Sequence, residues 1–386
     1  MQGIEISHCN ATINAIYRAY IHLMESSIEE ALRPVMAYGK SDTLGMDAIP
    51  EIALTRYLSQ YDSNCVVITE ETGAVGTQSF FSRNPNGMAP TVFLCDPMDR
   101  SAPFQEFLKA VADKELRVRE YLNQEASIKK WEAEHSGPAT ITGAYSAITC
   151  IRRQIPIFSV LANYITQQIF VACSAGNYVF DLSKFTANNL DLETIKQGGR
   201  KVFFHGLESN RHAEMHRFVT FMGKAGYAEN FNDSGFMNPE EMNRFLHYNN
   251  PGGPSRALYL SDLQPKENQI GFILANGEKI GEWIHWLPFV RFARKEDEQD
   301  EPALRLYEIF HPRPWTKDGI LMSTPPAYSV FKAIPGSANV VIDVDRFSYF
   351  ENPSQIRSTL IVAPFDNYWT SRIISQYGYR EILLEC

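Results

Sequence analysis

Residues 139–182 constrain the fold most strongly, because they predict consecutive strands joined by short turns. The turns are expected at Arg152–Gln154, Asn163–Thr166 and Ala175–Asn177, where apolar runs give way to polar and small residues. Apolar side chains recur at helical spacing over residues 11–36, before this region. A chain that begins with helices, continues with an antiparallel meander and ends with alternating elements favours an α/β fold built from layered mixed sheets.

Other segments complete the predicted element order. A second helix is expected at 47–60 with Pro50 in its first turn, and residues 104–135 predict one long helix or two. Further helices are expected at Asn210–Ala225 and in the closing segment "PPAYSVFKAI". Further strands are expected in "CVVITEE", "TVFLCD", "KVFFHG", "ALRLYEIF" and "GILMST".

The length of 386 residues indicates two lobes or one large layered domain. We expect an N-terminal α+β lobe at 1–185, which carries a helical insertion at about 104–135. A C-terminal substrate lobe is expected at 186–334, followed by a C-terminal extension at 335–386.

The net charge of -9 argues against a protein that coats nucleic acid, since such proteins carry a basic surface. The first residues lack the charged and apolar regions of a signal peptide, and no apolar run reaches membrane-spanning length. The six cysteines form no CxxC pair. We therefore expect a cytoplasmic protein that binds neither nucleic acid nor membrane.

Two of the predicted strands end abruptly in carboxylates. The first ends at Glu70 and Glu71, and the second at Asp96, with Asp99 three residues further on. Hard divalent cations take oxygen ligands, and this spacing can place both aspartates in one turn around the carbonyl of Met98. The pattern indicates a site for one or two metal ions, although single acids of this kind also serve as ordinary helix caps and turn residues.

The acidic segments "ITEETGAVG" and "DPMDRS" resemble the two metal-binding signatures of the inositol monophosphatase and fructose-1,6-bisphosphatase superfamily. Upstream, "KSDTLGMDAIPEIALTRYL" resembles the segment that carries this family's water-activating aspartate, which corresponds to Asp47. The similarity extends over about residues 10–334. It implies a layered α-β-α-β sandwich of the sugar-phosphatase type with mixed sheets, here with an added C-terminal extension, and a metal-dependent phosphatase activity.

The resemblance also implies a role for individual residues. One to three Mg²⁺ ions, with Mn²⁺ as a substitute, would be bound by Glu70, Asp96, Asp99 and the carbonyl of Met98. The catalytic residues would be Asp47, Ser101 and Glu71, of which Asp47 and Ser101 orient and deprotonate the attacking water. The phosphate and the rest of the substrate would contact Arg100, Ser101, Gly253 and Ser255.

The sequence departs from the family pattern at three places that matter for activity. One is the tract after Ser101, which reads "APF" in place of the family's usual Thr-Asn or Ser-Asn. Arg100 stands where the family has glycine, so it either blocks the phosphate cradle or offers a guanidinium to a second phosphate or a carboxylate. The family's late aspartate aligns with Leu287, and Asp366 is the other candidate for that role. With Leu287 in that place, Glu282 or His285 would substitute as ligand or acid.

These observations predict a Mg²⁺-dependent phosphomonoesterase that acts on a small phosphorylated metabolite, such as a sugar phosphate, inositol phosphate or nucleotide 3′-phosphate. The alternative is a superfamily member with non-hydrolytic chemistry on such a molecule, or an inactive binding or regulatory protein. Members of this family often dimerise, so the resemblance allows a homodimer.

Overall fold

The computed structural model of the chain describes separate stretches of residues. They are 3–36, 38, 41–61, 65–75, 91–135, 137–152, 155–204, 217–222, 245–249, 255–264, 270–279, 284–297, 303–309, 315–317, 320–322, 331–333, 340–342, 357–364 and 379–382. The chain divides into two units, Met1–Lys201 and Val202–Cys386. The predicted boundaries at 185 and 334 stay predictions.

The first unit opens with three helices, α1 (Gly3–Glu25), α2 (Ile28–Leu32) and α3 (Gly45–Tyr61). The helix predicted over 11–36 is confirmed in two pieces, because a capping box at Ser27 starts a new helix. The Ser27 hydroxyl accepts from the backbone N–H of Glu30 (3.1 Å), and the Glu30 carboxylate accepts from the backbone N–H of Ser27 (2.9 Å).

Helix α3 begins before the predicted start at residue 47, and this corrects the position of Pro50. The proline lies in the second turn rather than in the first. The early start requires glycine, since a Cβ on Gly45 would lie 2.0 Å from the carbonyl oxygen of Glu30. Gly45 therefore lets the backbone of α3 approach that of α2 closely.

The eight-stranded sheet of the first unit confirms the predicted meander. Its strands run in the order β2-β1-β3-β4-β5-β6-β7-β8, and only the β1/β3 pair is parallel. The strands are β1 (Cys65–Thr69), β2 (Gly73–Val75), β3 (Thr91–Asp99), β4 (Tyr145–Arg152), β5 (Ile155–Asn163), β6 (Gln168–Cys173), β7 (Gly176–Asp181) and β8 (Arg200–Lys201). The α/β class with mixed sheet pairing is thus confirmed.

The insertion between β3 and β4 contains more helices than predicted. In place of one or two helices over 104–135, the structure has α4 (Ser101–Lys109), α5 (Val118–Leu122) and α6 (Glu125–His135). Helix α7 (Ala139–Thr142) follows, where the sequence predicted the first strand of the meander. Helix α4 ends at Lys109. The Lys114 ammonium group folds back over this end and donates to the carbonyls of Leu108 (3.1 Å) and Lys109 (2.8 Å), which satisfies two of the last carbonyls of the helix. After β7, helix α8 (Leu192–Gly198) precedes β8.

The second unit contains a six-stranded sheet in the order β10-β9-β11-β17-β12-β18. Its strands are β9 (Arg217–Met222), β10 (Phe245–Asn249), β11 (Ile270–Lys279), β12 (Leu304–Ile309), β17 (Arg357–Pro364) and β18 (Tyr379–Ile382). Residues 335–386 therefore supply one inner strand and one edge strand of this sheet. The strands predicted in "ALRLYEIF" and "GILMST" are confirmed by β12 and by β14 (Ile320–Met322), which pairs with β13 (Trp315–Lys317).

Two predicted helices are wrong where the structure describes them. The helix expected over Asn210–Ala225 is strand β9 at 217–222, which pairs in parallel with both β10 and β11. The closing helix in "PPAYSVFKAI" is strand β15 (Phe331–Ala333), paired with β16 (Val340–Ile342). In both cases tertiary pairing overrides the local pattern. The described helices include none that is both long and apolar enough to cross a membrane.

Candidate active site

The acidic ends of β1 and β3 lie at the same edge of the sheet. These strands are parallel, and Thr69 pairs with Cys95, so Glu70 and Asp96 are the next residues along neighbouring strands. Opposite β4, the register shifts between Asp96 and Asp99, and this bulge brings Asp99 to the same edge. The strand register therefore places Glu70 and Asp96 side by side. Their roles as metal ligands stay predictions.

The segment from Asp96 to Asp99 is buried and held from β4. The backbone N–H of Met98 donates to Asp96 Oδ1 (3.1 Å), which closes a local turn. The Ser146 hydroxyl donates to the carbonyl of Pro97 (2.5 Å) and is hydrogen-bonded to the Tyr164 hydroxyl (2.7 Å). Both aspartates and Met98 are at least nine-tenths buried. The segment is therefore fixed by one hydrogen bond within it and by one from Ser146 on β4.

Replacing Ser146 with Ala is expected to destabilise the fold by about 1–3 kcal/mol, because it leaves the buried Pro97 carbonyl without this donor. Urea unfolding of wild type and variant measures the difference. Ser59→Ala is a suitable control, since the Ser59 side chain is exposed on α3. An equal loss in both variants would show that the hydroxyl of Ser146 does not anchor the loop.

Asp47 lies in the first turn of α3 and is nearly buried. Its Oδ2 accepts from the backbone N–H of Leu44 (3.0 Å), an arrangement that the start of a helix favours for an acid. The neighbouring Thr43 hydroxyl donates to the Glu71 carboxylate. The start of α3 is therefore linked directly to the turn that follows β1.

Two residues that were not predicted from the sequence, Glu51 and Tyr38, lie near these carboxylates. Glu51 is fully buried and lies one helical turn after Asp47, a spacing that could have revealed it. Burial raises the pKa of Glu51, the hydrogen bonds from Thr69 and Thr72 lower it, and the charge of Glu71 raises it further. Burial and the charges of Glu51 and Glu71 raise the pKa of Tyr38. No local sequence pattern indicates that Tyr38 lies near these carboxylates.

Arg100 adopts the left-handed conformation (φ 66°, ψ 36°) immediately before α4. An arginine in this conformation costs about 1–2 kcal/mol relative to glycine. Its guanidinium lies over the Trp131 ring, 5.5 Å from the centroid, and the His135 ring stacks on the same tryptophan at 3.9 Å. The side chain therefore packs against α6 of the insertion. Ser101 begins α4, where backbone N–H groups favour anions.

The remaining predicted site residues belong to the second unit. Ser255 is buried and precedes a 3₁₀ turn (Arg256–Leu260), while Gly253, Glu282 and Asp366 lie outside the described residues. Leu287 is buried at the start of helix α9 (Leu287–Arg291) and offers no carboxylate. Burial lowers the pKa of His285 to about 3, which favours the neutral imidazole near neutral pH. Its role as a substitute ligand or acid stays a prediction.

The donor set at the strand ends suits a hard divalent cation, because it consists of carboxylate and carbonyl oxygens. Within the described stretches, no group of three or more His, Cys, Asp and Glu side chains is gathered closely enough to hold an ion. The oxygen donors of Glu70, Asp96 and Asp99 are of the chemical type that Mg²⁺ prefers.

Comparison with known proteins adds information on the fold. No protein-family profile and no curated protein matches the chain. Among solved structures, CysQ from Bacteroides thetaiotaomicron, described as a bacterial member of the inositol monophosphatase family, matches with a TM-score of 0.50 at 10% identity, over 93% of this chain and 97% of that chain.

Two further solved structures are similar over nearly their whole length. The native structure of the extragenic suppressor protein SuhB from Bartonella henselae has a TM-score of 0.49 at 11% identity, over 95% of this chain and 97% of that chain. Inositol monophosphatase from Anabaena has a TM-score of 0.49 at 8% identity, over 96% of each chain. Together with the sheet order of the first unit, the CysQ match shows that this chain has the fold of the inositol monophosphatase family.

Proposed function

We propose that this chain is a Mg²⁺-dependent phosphomonoesterase that hydrolyses a small phosphorylated metabolite. The observation that carries the proposal is the register of β1 and β3, which brings Glu70 and Asp96 to one edge of the sheet, with Asp99 next to them. The fold shared with CysQ, a member of the inositol monophosphatase family, supports the phosphatase class.

Glu70, Asp96, Asp99 and the carbonyl of Met98 would hold one to three Mg²⁺ ions, with Mn²⁺ as a substitute. Bound Mg²⁺ would lower the pKa of a ligated water and neutralise charge on the phosphate oxygens. The burial of Asp96, Met98 and Asp99 matters, because electrostatic interactions strengthen where water is excluded.

Other residues of the first unit would act on the water and the phosphate. Asp47, held at the start of α3 by the Leu44 N–H, would accept a proton from the attacking water. The Ser101 hydroxyl would orient that water, and Glu71, held by Thr43, would assist. The backbone N–H groups of Arg100 and Ser101 would bind the phosphate at the start of α4.

The substrate would be a sugar phosphate, an inositol phosphate or a nucleotide 3′-phosphate. The test is release of inorganic phosphate from a panel of these compounds, with Mg²⁺ and with a chelator. Metal-dependent release from one compound class supports the proposal and names the substrate. Equal, background-level release with and without metal, from folded protein, overturns it.

A second candidate is a protein that binds a phosphorylated metabolite without hydrolysing it, or that performs non-hydrolytic chemistry on it. Two features favour it. Leu287, which the resemblance aligns with the family's late aspartate, is buried and offers no carboxylate, and Arg100 stands where the resemblance leads us to expect glycine. Calorimetric binding of a panel compound without phosphate release would support this candidate over the phosphatase.

A further inference from the structure

The turn after β1 is organised around one buried carboxylate from α3. Glu51 Oε1 accepts hydrogen bonds from the Thr69 hydroxyl (2.6 Å), the backbone N–H of Thr72 (3.1 Å) and the Thr72 hydroxyl. The two threonine hydroxyl oxygens lie 3.0 Å from each other. Both residues that flank the Glu70–Glu71 pair are therefore tied to the same oxygen atom.

A structural role alone does not require a carboxylate at this position. The Thr72 N–H already donates to the Thr69 hydroxyl (3.3 Å), so the turn has a local way to close. Glu51 is 0% exposed, and its second oxygen, Oε2, is buried without a hydrogen bond to any described residue. Burying an ionisable group in this way is costly. The chain keeps a carboxylate where an apolar side chain would pack at lower cost.

The start of α3 contacts the turn on either side of Glu70. Thr43, just before the helix, donates to the Glu71 carboxylate, and Glu51 accepts from Thr69 and Thr72. Asp47 lies between these two anchors on the same helix. One helix thus sets the position of the proposed water-activating Asp47 and of the turn that carries the proposed ligand Glu70.

We infer that Glu51 is a positioning residue, which acts through Thr69 and Thr72 to hold the Glu70–Glu71 turn in the orientation that binds the metal ion. This inference rests on the proposed metal-dependent function. It adds a residue that touches neither the ion nor the substrate, and whose carboxylate determines how tightly the ion is bound. Residues that orient metal ligands in this way typically contribute about 10- to 100-fold in metal affinity.

The test measures Mn²⁺ binding to substrate-free protein by electron paramagnetic resonance, so that it does not depend on catalysis. Glu51→Met removes the acceptor and keeps an unbranched side chain of similar length. Thr72→Val removes one donor, and Thr72→Ser restores it. Glu29→Gln, an exposed glutamate on α2, is the matched control.

We expect Glu51→Met and Thr72→Val to weaken Mn²⁺ binding by about 10- to 100-fold, and Thr72→Ser and Glu29→Gln to bind as wild type does. Because Thr72 is exposed, the Thr72→Val variant is expected to fold even if Glu51→Met does not, and it then tests the inference. Wild-type binding retained in both Glu51→Met and Thr72→Val overturns the role of Glu51 but leaves the proposed function intact. Failure of the wild type itself to bind Mn²⁺ overturns both.

Discussion

Asp96→Asn is expected to lower Mg²⁺-dependent phosphate release by about 10³-fold or more, since a metal ligand supplies several kcal/mol of charge stabilisation. The amide oxygen can still accept from the Met98 N–H, so the turn is expected to persist. Steady-state phosphate release at saturating Mg²⁺, measured beside wild type, gives the ratio. Replacing a buried charge by a neutral isostere is not expected to lower the melting temperature of the metal-free protein.

Asp113→Asn is the control for this experiment, because Asp113 is exposed in the insertion and makes only a local turn contact with Glu115. It is expected to hydrolyse substrate as wild type does. If Asp96→Asn kept most of its activity, the assignment of the strand ends as a metal site would be wrong. A parallel loss of activity and of melting temperature would instead indicate that Asp96 supports the fold.

Trp131→Ala is expected to reduce the free energy of unfolding by about 3–5 kcal/mol, the usual cost of deleting a large buried aromatic ring. Trp131 is fully buried and contacts Phe107 at 5.2 Å and Phe104 at 6.4 Å between ring centroids. Its indole N–H donates to the carbonyl of Thr142 (3.0 Å). Denaturant unfolding followed by circular dichroism measures the change.

Two companion variants separate the contributions of this tryptophan. Trp131→Phe keeps an aromatic ring but loses the donor to Thr142, so we expect a smaller loss than for alanine. Lys129→Ala, at an exposed position on the same helix, is expected to change stability by less than about 0.5 kcal/mol. A Trp131→Ala protein as stable as Lys129→Ala would mean that the insertion does not pack into the core of the first unit.

The sequence predicted the strands around the candidate site well because their signals are local. β-branched runs and turn residues define β1, β3 and the meander, and the carboxylates stand at the strand ends themselves. Ser146 and the hydrogen-bond partners of Glu51 were not predicted, because these contacts join residues distant in the chain. No periodicity within a single element reports such partners.

The errors have the same physical origin. Residues 217–222 form a strand because neighbouring strands on both sides pair with them, which the isolated segment cannot show. The sequence left two alternatives for Arg100: it blocks the phosphate cradle, or it binds a second phosphate or a carboxylate. The structure adds a contact that neither alternative included, because the guanidinium lies over the Trp131 ring. That contact depends on where the insertion packs, and spacing alone does not determine this.

The position of β17 in the second unit has a consequence for synthesis of the chain. The strand comes from residues 357–364, yet it lies between β11 and β12, both of which precede it in the sequence. Every strand of the first sheet, by contrast, is available once Lys201 has been made. During translation, the edges of β11 and β12 that pair with β17 stay unpaired, and so prone to aggregation, until residues 357–364 have left the ribosome. The sheet of the second unit is therefore completed later in synthesis than the sheet of the first unit.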